Sequence, residues 1–170
     1  MPVTILTRGK AFLLDYLLIL FYLVLIFCLY LVFPMQIEAL FSGGPWRNQL
    51  AGFLIVTLPV SLYFAVSDSR LVGQTFGKRK TNIQAVDHHG QPLTFLHSFI
   101  RVLLKFLPWE LSHFLVYRLV LLGDSPMPVS YTILGITIYG LMFTYILTAL
   151  FTSKKQTLYD LLTRSRVVRK

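Results

Sequence analysis

The chain has 170 residues, of which 55% are hydrophobic, and its mean hydropathy is +0.67. This composition is too apolar for an ordinary soluble domain and the chain is too short for two large ones, so we expect one membrane domain over residues 1–170. The formal net charge of +9 would suggest nucleic-acid binding in a soluble protein. Because no recognition motif accompanies the charge and the basic residues lie at membrane boundaries, we expect no nucleic-acid partner.

Four apolar segments are candidates for membrane-spanning helices. They comprise residues 11–33, 50–66, 108–122 and 131–151. The first is an almost unbroken apolar run whose single charge is Asp15. The third is ambiguous because residues 99–122 contain several charged side chains. We expect its beginning to form an interfacial helix that breaks and turns into the bilayer at Pro108.

The basic residues favour a topology with both termini on the cytoplasmic side. With four spans, 14 of the 16 Lys and Arg residues lie inside, and only Arg47 and Arg118 lie outside. Three spans would place one of two basic clusters outside, which the positive-inside rule disfavours. This topology leaves a cytoplasmic loop at residues 67–98 and a cytoplasmic tail at residues 152–170. The predicted location is a membrane, most consistent with a bacterial inner (plasma) membrane.

The cytoplasmic loop is predicted to contain a small β-hairpin. Residues 80–86 alternate polar and apolar side chains, Asp87-His88-His89-Gly90 is typical of a turn, and residues 93–95 offer a return strand. Adjacent histidines in a turn project in different directions, so this pair predicts a solvated turn rather than a metal site. The predicted fold class is therefore an all-α membrane protein: a bundle of four transmembrane helices with an interfacial helix and a small cytoplasmic β-hairpin.

Two short segments resemble each other, one after the second span and one after the fourth. Both begin with Gln-Thr and lead to an apolar strand-like run, which indicates a two-helix unit used twice. Around Gly77, backbone N–H groups would form a nest for a lipid phosphate; alternatively, the glycine only permits a tight exit from the second span. The candidate contacts for anionic headgroups on the cytoplasmic side are Gln74, Thr75, Gly77, Lys78, Arg101, Gln156 and Thr157.

Three blocks of this sequence form a recognisable combination. They are Arg8 with Ala11-Phe12 and Asp15, Gly73-Gln74-Thr75-x-Gly-Lys78, and Gln156-Thr157-Leu158-Tyr159-Asp160. Together they resemble the RDD family of small membrane proteins. Pro108-Trp109-Glu110-x-x-His113 resembles a block found in one subset of that family. The resemblance implies that Arg8, Asp15 and Asp160 are the Arg and two Asp residues for which the family is named. It also implies a role in ion or proton-coupled transport or as a membrane-embedded accessory protein.

The charge network of Arg8, Asp15 and Asp160 has two interpretations. Asp15 binds a proton or cation with an affinity tuned by Arg8, or the two form a structural ion pair that clamps the helix entrance. Asp160 shares a site with Asp15, or it pairs with Arg8, Arg164 or Lys78. Asp15, Glu110 and His113 together are the hypothesised ion or proton relay.

Glu110 and His113 are spaced to share one face of a helix. Structural hydrogen bonding, a proton or cation relay, and a metal site are the open alternatives. A lone Glu-x-x-His lacks the further ligands of helical metal sites, so no metal and no cofactor is predicted. No nucleophile with a base and an oxyanion site can be assembled, so we expect no enzyme activity.

The function predicted from the sequence is a proton- or cation-coupled transporter that uses intramembrane carboxylates. The alternative is a non-transporting membrane assembly factor or a lipid-binding accessory factor. The expected partners are the lipid bilayer, anionic lipid headgroups on the cytoplasmic side, and a second copy of the chain or another membrane protein.

Overall fold

The computed structural model describes residues 3–170, which are mainly helical. Helix α1 covers Ile5–Val32, and α2 covers Pro34–Leu40. Helix α3 (Pro45–Gly52) continues through a π-helical turn (Phe53–Thr57) into α4 (Leu58–Asp68). The next elements are α5 (Phe76–Lys80), β1 (Ile83–Asp87), α6 (Phe95–Leu122) and α7 (Val129–Phe151), and the chain ends with α8 (Leu158–Leu162) and β2 (Ser165–Arg169).

Within residues 3–170, three helices are long and apolar enough to cross a membrane: α1, the continuous segment Pro45–Asp68, and α7. The apolar side chains of α1 and α7 are mostly exposed, as in Phe21, Phe27 and Phe143, whereas the segment Pro45–Asp68 is partly buried. Lipid is the environment in which such surfaces are stable. The expectation of a helical integral membrane protein is confirmed at this level.

Helix α6 runs without interruption through Pro108, so the predicted helix break at this residue is wrong. Proline has no N–H group, and Leu104, four residues earlier, therefore loses the usual helical donor to its carbonyl oxygen. The Tyr145 hydroxyl of α7 donates to this carbonyl at 2.5 Å. A neighbouring helix thus supplies the missing hydrogen bond, which is a known way in which membrane helices tolerate proline.

The two strands form an antiparallel pair in which Ile83 lies opposite Arg169 and Asp87 lies opposite Ser165. The predicted local hairpin is therefore wrong, because the partner of the first strand comes from the C-terminal tail. Within the expected return strand, Leu93 makes only an isolated bridge to Ser69, and the preceding residue, Pro92, makes another to Val86. Helix α6 begins at Phe95 and leaves too little chain for a strand, whereas β2 offers five residues and buries Val167 beside Ile83.

The resemblance between the two Gln-Thr segments extends to their structure. Each threonine precedes a five-residue helix, α5 or α8, which is followed by a five-residue strand. The Gln74 side chain donates to the carbonyl of Ile83 at 2.9 Å, and the Gln156 side chain donates to that of Ser165 at 2.6 Å. Corresponding residues lie 82 positions apart (74 to 156, and 83 to 165). The chain therefore contains two copies of one motif, joined by their strands.

A buried charge network and a carboxylate at the π-helical turn

A buried charge network connects the beginning of the chain to its end. Asp160 of α8 is fully buried and accepts from Arg8 Nη2 and from Arg101 Nη2, both at 2.7 Å. Its Oδ2 also accepts the backbone N–H of Thr157 at 3.2 Å, which stabilises the start of α8. Arg8 reaches further to the carbonyl oxygen of Lys155. The predicted pairing of Asp160 with basic residues is thus present, with partners on α1 and α6.

The network continues through a carboxylate that the sequence analysis missed. Arg101 Nη1 donates to Asp68 at 2.9 Å, and Lys78 Nζ donates to the same carboxylate at 2.5 Å. Arg101 therefore bridges two buried aspartates and ties α4 and α5 to α8. Asp68 is the last residue of the second span and is followed closely by basic residues. This position of an acidic residue could have indicated an ion pair from the sequence.

The charges of the network alter the titration of Asp160. Burial alone would raise the pKa of this carboxyl, but the guanidinium groups of Arg101 and Arg8 outweigh burial and hold the pKa well below its usual value. The Asp160 carboxyl is therefore ionised throughout the physiological pH range.

Asp15 is also buried, at 2% exposure, but it belongs to a different set of contacts. It accepts hydrogen bonds from the Tyr63 hydroxyl at 2.9 Å, the Thr75 hydroxyl at 2.7 Å and the backbone N–H of Gly77 at 2.7 Å. Among residues 3–170, Asp15 forms no ion pair within 4.0 Å, since Arg8 is bonded to Asp160 instead. Asp15 thus holds the loop before α5 against α1.

These contacts also decide what the Gly77 loop can bind. The N–H of Gly77 points to Asp15, and the N–H of Phe76 donates to the Tyr63 hydroxyl at 2.9 Å. Thr75 caps α5 by accepting the N–H of Lys78. The donors expected to surround a lipid phosphate are therefore satisfied within the protein, by Asp15 and Tyr63.

A second polar cluster surrounds Glu110 in the middle of α6. Its carboxylate accepts from Gln49 Nε2 at 3.2 Å and from the Thr57 hydroxyl at 2.9 Å. His113 Nδ1 lies 4.0 Å from Glu110 Oε2, and it has no hydrogen-bond partner among residues 3–170. Thr57 is the last residue of the π-helical turn, a distortion that is frequent at functional sites.

Arg118, which follows Glu110 in α6, lies at the edge of this cluster and is held by aromatic rings. Arg118 Nη1 donates to the Gln49 side chain at 3.3 Å, and the guanidinium lies over the rings of Phe114 and Trp46. Gln49 thus connects Arg118 to Glu110. Among residues 3–170, no group of three or more His, Cys, Asp or Glu side chains is arranged to hold a metal ion. The cluster thus combines a carboxylate, a histidine and neutral hydrogen-bond donors.

The fold and these sites define a helical integral membrane protein with buried carboxylates on its helices. The sequence profile of the RDD family matches residues 2–164. This chain therefore belongs to the RDD family, as its three blocks of motifs suggested. Comparisons with curated proteins and with solved structures gave no significant match.

Proposed function

We propose that this protein is a proton- or cation-coupled transporter whose ion site contains Glu110 and His113. The observation that supports it is the environment of Glu110: a carboxylate beside a histidine at a π-helical turn, with neutral donors on its other side. Because an ionisable group inside a membrane is costly, it is retained mainly for a function. Histidine is the side chain best suited to exchange a proton near neutral pH.

The contacts of Asp15 favour a structural role over a proton- or cation-binding role. Its oxygens are occupied by Tyr63, Thr75 and Gly77, so a transported ion would have to displace three donors. Glu110 accepts only two hydrogen bonds, and the adjacent His113 ring nitrogen is unoccupied among the described residues. We therefore place the exchangeable ion at Glu110 and assign Asp15 to the attachment of the α5 loop.

Transport would also require a barrier between the two polar regions of α6. Arg101 and Glu110 are nine residues apart in one helix, which corresponds to about 13 Å along its axis. Between them, the ring of Phe106 packs against that of Phe64 with 5.5 Å between centroids. We propose that this aromatic pair separates Glu110 from the charge network until the helices move.

We further propose that α6 crosses the membrane, which gives four spans. Strand β1 follows the second span and pairs with β2, which follows α7, so the two strands lie on one side of the membrane. If α7 crosses, α6 must cross as well to return the chain to that side. Helix α6 has 28 residues, the same number as α1. The distribution of basic residues assigns the side with the sheet to the cytoplasm of a bacterial cell.

Cysteine labelling tests this topology. In a Cys28→Ala background, we expect Ser125→Cys, in the connection between α6 and α7, to react with a membrane-impermeant maleimide in intact cells. His89→Cys, in the turn before α6, should react only after the cells are permeabilised. Protection of both cysteines in intact cells, with reaction of both after permeabilisation, would contradict the fourth span.

Flux across proteoliposomes tests the transport proposal. We expect wild-type protein to couple an imposed sodium, potassium or proton gradient to a change in internal pH. Glu110→Gln should reduce this flux to the level of protein-free vesicles, because the amide cannot release a proton or neutralise a cation. Glu38→Gln is the matched control, since Glu38 lies exposed on α2 and should leave the flux unchanged.

Two results would contradict this assignment. Equal flux in wild type and Glu110→Gln would remove Glu110 from the mechanism. Absence of flux in folded, correctly oriented wild-type protein would contradict transport itself and favour an accessory role in membrane assembly.

A further inference from the structure

A cavity of about 70 Å³ lies at the end of the bundle that carries the sheet. Helices α1, α4 and α6 contribute to its wall, together with α5, α8 and both strands. Its charged lining residues are Arg8, Asp15, Lys78, Arg101 and Lys105. The cavity is separate from the Glu110 cluster, and the inference drawn from it does not rest on the proposed transport function.

One of the four cations at this cavity lacks an anionic partner. Arg8 and Arg101 are paired with Asp160, and Lys78 is paired with Asp68. Lys105 forms neither an ion pair nor a hydrogen bond within residues 3–170. Its ammonium nitrogen instead lies 3.5 Å from the ring centroid of Phe64.

The charges around the cavity therefore do not balance. Four cations face three carboxylates, namely Asp15, Asp68 and Asp160. All three carboxylates are buried and engaged by other donors, so none is free to turn toward Lys105. A partly buried ammonium without a counterion is unfavourable. A bound anion in the cavity would remove this imbalance.

Helices α1 and α6 carry opposite charges at the same distance from their N-caps. Thr4 caps the start of α1 and Thr94 caps the start of α6, each through its side chain. Asp15 and Lys105 both lie 11 residues beyond these caps (4 to 15, and 94 to 105). The second half thus has a cation where the first half has its buried carboxylate. An external anion would supply the negative charge that the second half lacks.

The size of the cavity restricts the anion. On this scale a water molecule needs roughly 10–15 Å³, so the space corresponds to about five to seven heavy atoms, which is enough for the five of a tetrahedral oxyanion. Arg8 and Lys78 retain N–H donors beyond those bonded to Asp160 and Asp68. We infer that the cavity binds a phosphate-like oxyanion, with the Lys105 ammonium as its principal donor.

Two sources of this group can reach the cavity. Helix α1 has 28 residues, about 42 Å of length against roughly 30 Å of hydrocarbon, so its first turns extend to headgroup level. Phe12, whose ring lies 5.9 Å from Lys105 Nζ, is half exposed at the same level. The two sources are the phosphate of an anionic lipid and free inorganic phosphate, and both present the same oxyanion group to Lys105.

Isothermal titration calorimetry distinguishes these sources on the full chain in a maltoside detergent, which carries no phosphate. One arm titrates inorganic phosphate, and the other titrates short-chain phosphatidic acid. We expect saturable binding in at least one arm, weakened roughly tenfold or more by Lys105→Gln, because a charge-assisted hydrogen bond is lost. Lys105→Arg should retain binding because it keeps the charge. Lys154→Gln is the matched control, since Lys154 is exposed and does not line the cavity.

Each outcome has a defined meaning. Binding of inorganic phosphate that depends on Lys105 identifies a free oxyanion as a sufficient ligand, and binding of phosphatidic acid alone identifies a lipid headgroup. Absence of binding in both arms, or equal binding by wild type and Lys105→Gln, overturns the inference. If Lys105→Gln does not fold, Lys105→Met replaces it, because methionine is neutral and packs well among phenyl rings.

Discussion

We expect Asp160→Asn to lower the free energy of unfolding by about 3–5 kcal/mol. The carboxylate is fully buried and neutralises Arg8 and Arg101, which the uncharged amide cannot do. The variant would leave excess positive charge in a region of low dielectric, and removal of one partner from a buried ion pair is among the most destabilising single changes. Denaturant unfolding of the detergent-solubilised protein, followed by circular dichroism, measures the loss.

The matched control for this prediction is Asp124→Asn. Asp124 is exposed in the connection between α6 and α7 and forms no ion pair within the described part of the chain. We expect its effect to stay within about 0.5 kcal/mol. Equal unfolding midpoints for the two variants would show that the network contributes nothing to stability.

Gly77→Ala should destabilise the protein by about 1–3 kcal/mol through overpacking. A Cβ atom at this position would overlap the backbone carbonyl of Ala11, which cannot move aside as a flexible side chain could. Helix α5 would have to move away from α1, and the hydrogen bond from Gly77 to Asp15 would lengthen. The same unfolding assay measures this loss.

Gly9→Ala provides a control of opposite sign. Gly9 lies inside α1, and a Cβ atom there would meet no heavy atom within 4 Å. Because alanine is the better helix former, we expect this variant to gain roughly 0.5–1 kcal/mol. A neutral or stabilising effect of Gly77→Ala would contradict the close contact between α5 and α1.

Some features of this molecule could be predicted from local patterns, since each depends on neighbouring residues alone. Long apolar runs predict the helices because the membrane imposes a length and a composition. The paired Gln-Thr segments could be found because each makes the same local contacts, from glutamine to its own strand.

Other features depend on contacts between distant parts of the chain. The partner of β1 lies at the C-terminus, and the hydroxyl that replaces the missing donor of Pro108 lies on α7. Sequence spacing suggested that Arg8 pairs with Asp15, because the two share a helix face. In the structure Arg8 pairs with Asp160 instead, because α8 packs against α1 and α6.

The bond between Arg8 and Asp160 joins residues 152 positions apart, and this has a consequence for synthesis in the cell. Arg8 leaves the ribosome well before its carboxylate partner is translated. Until then, Arg8 and Arg101 have no access to Asp160 and must remain hydrated or among lipid headgroups. The final closure of the bundle therefore follows translation of the tail, and a nascent chain truncated before α8 would leave these guanidinium groups accessible to chaperones and proteases.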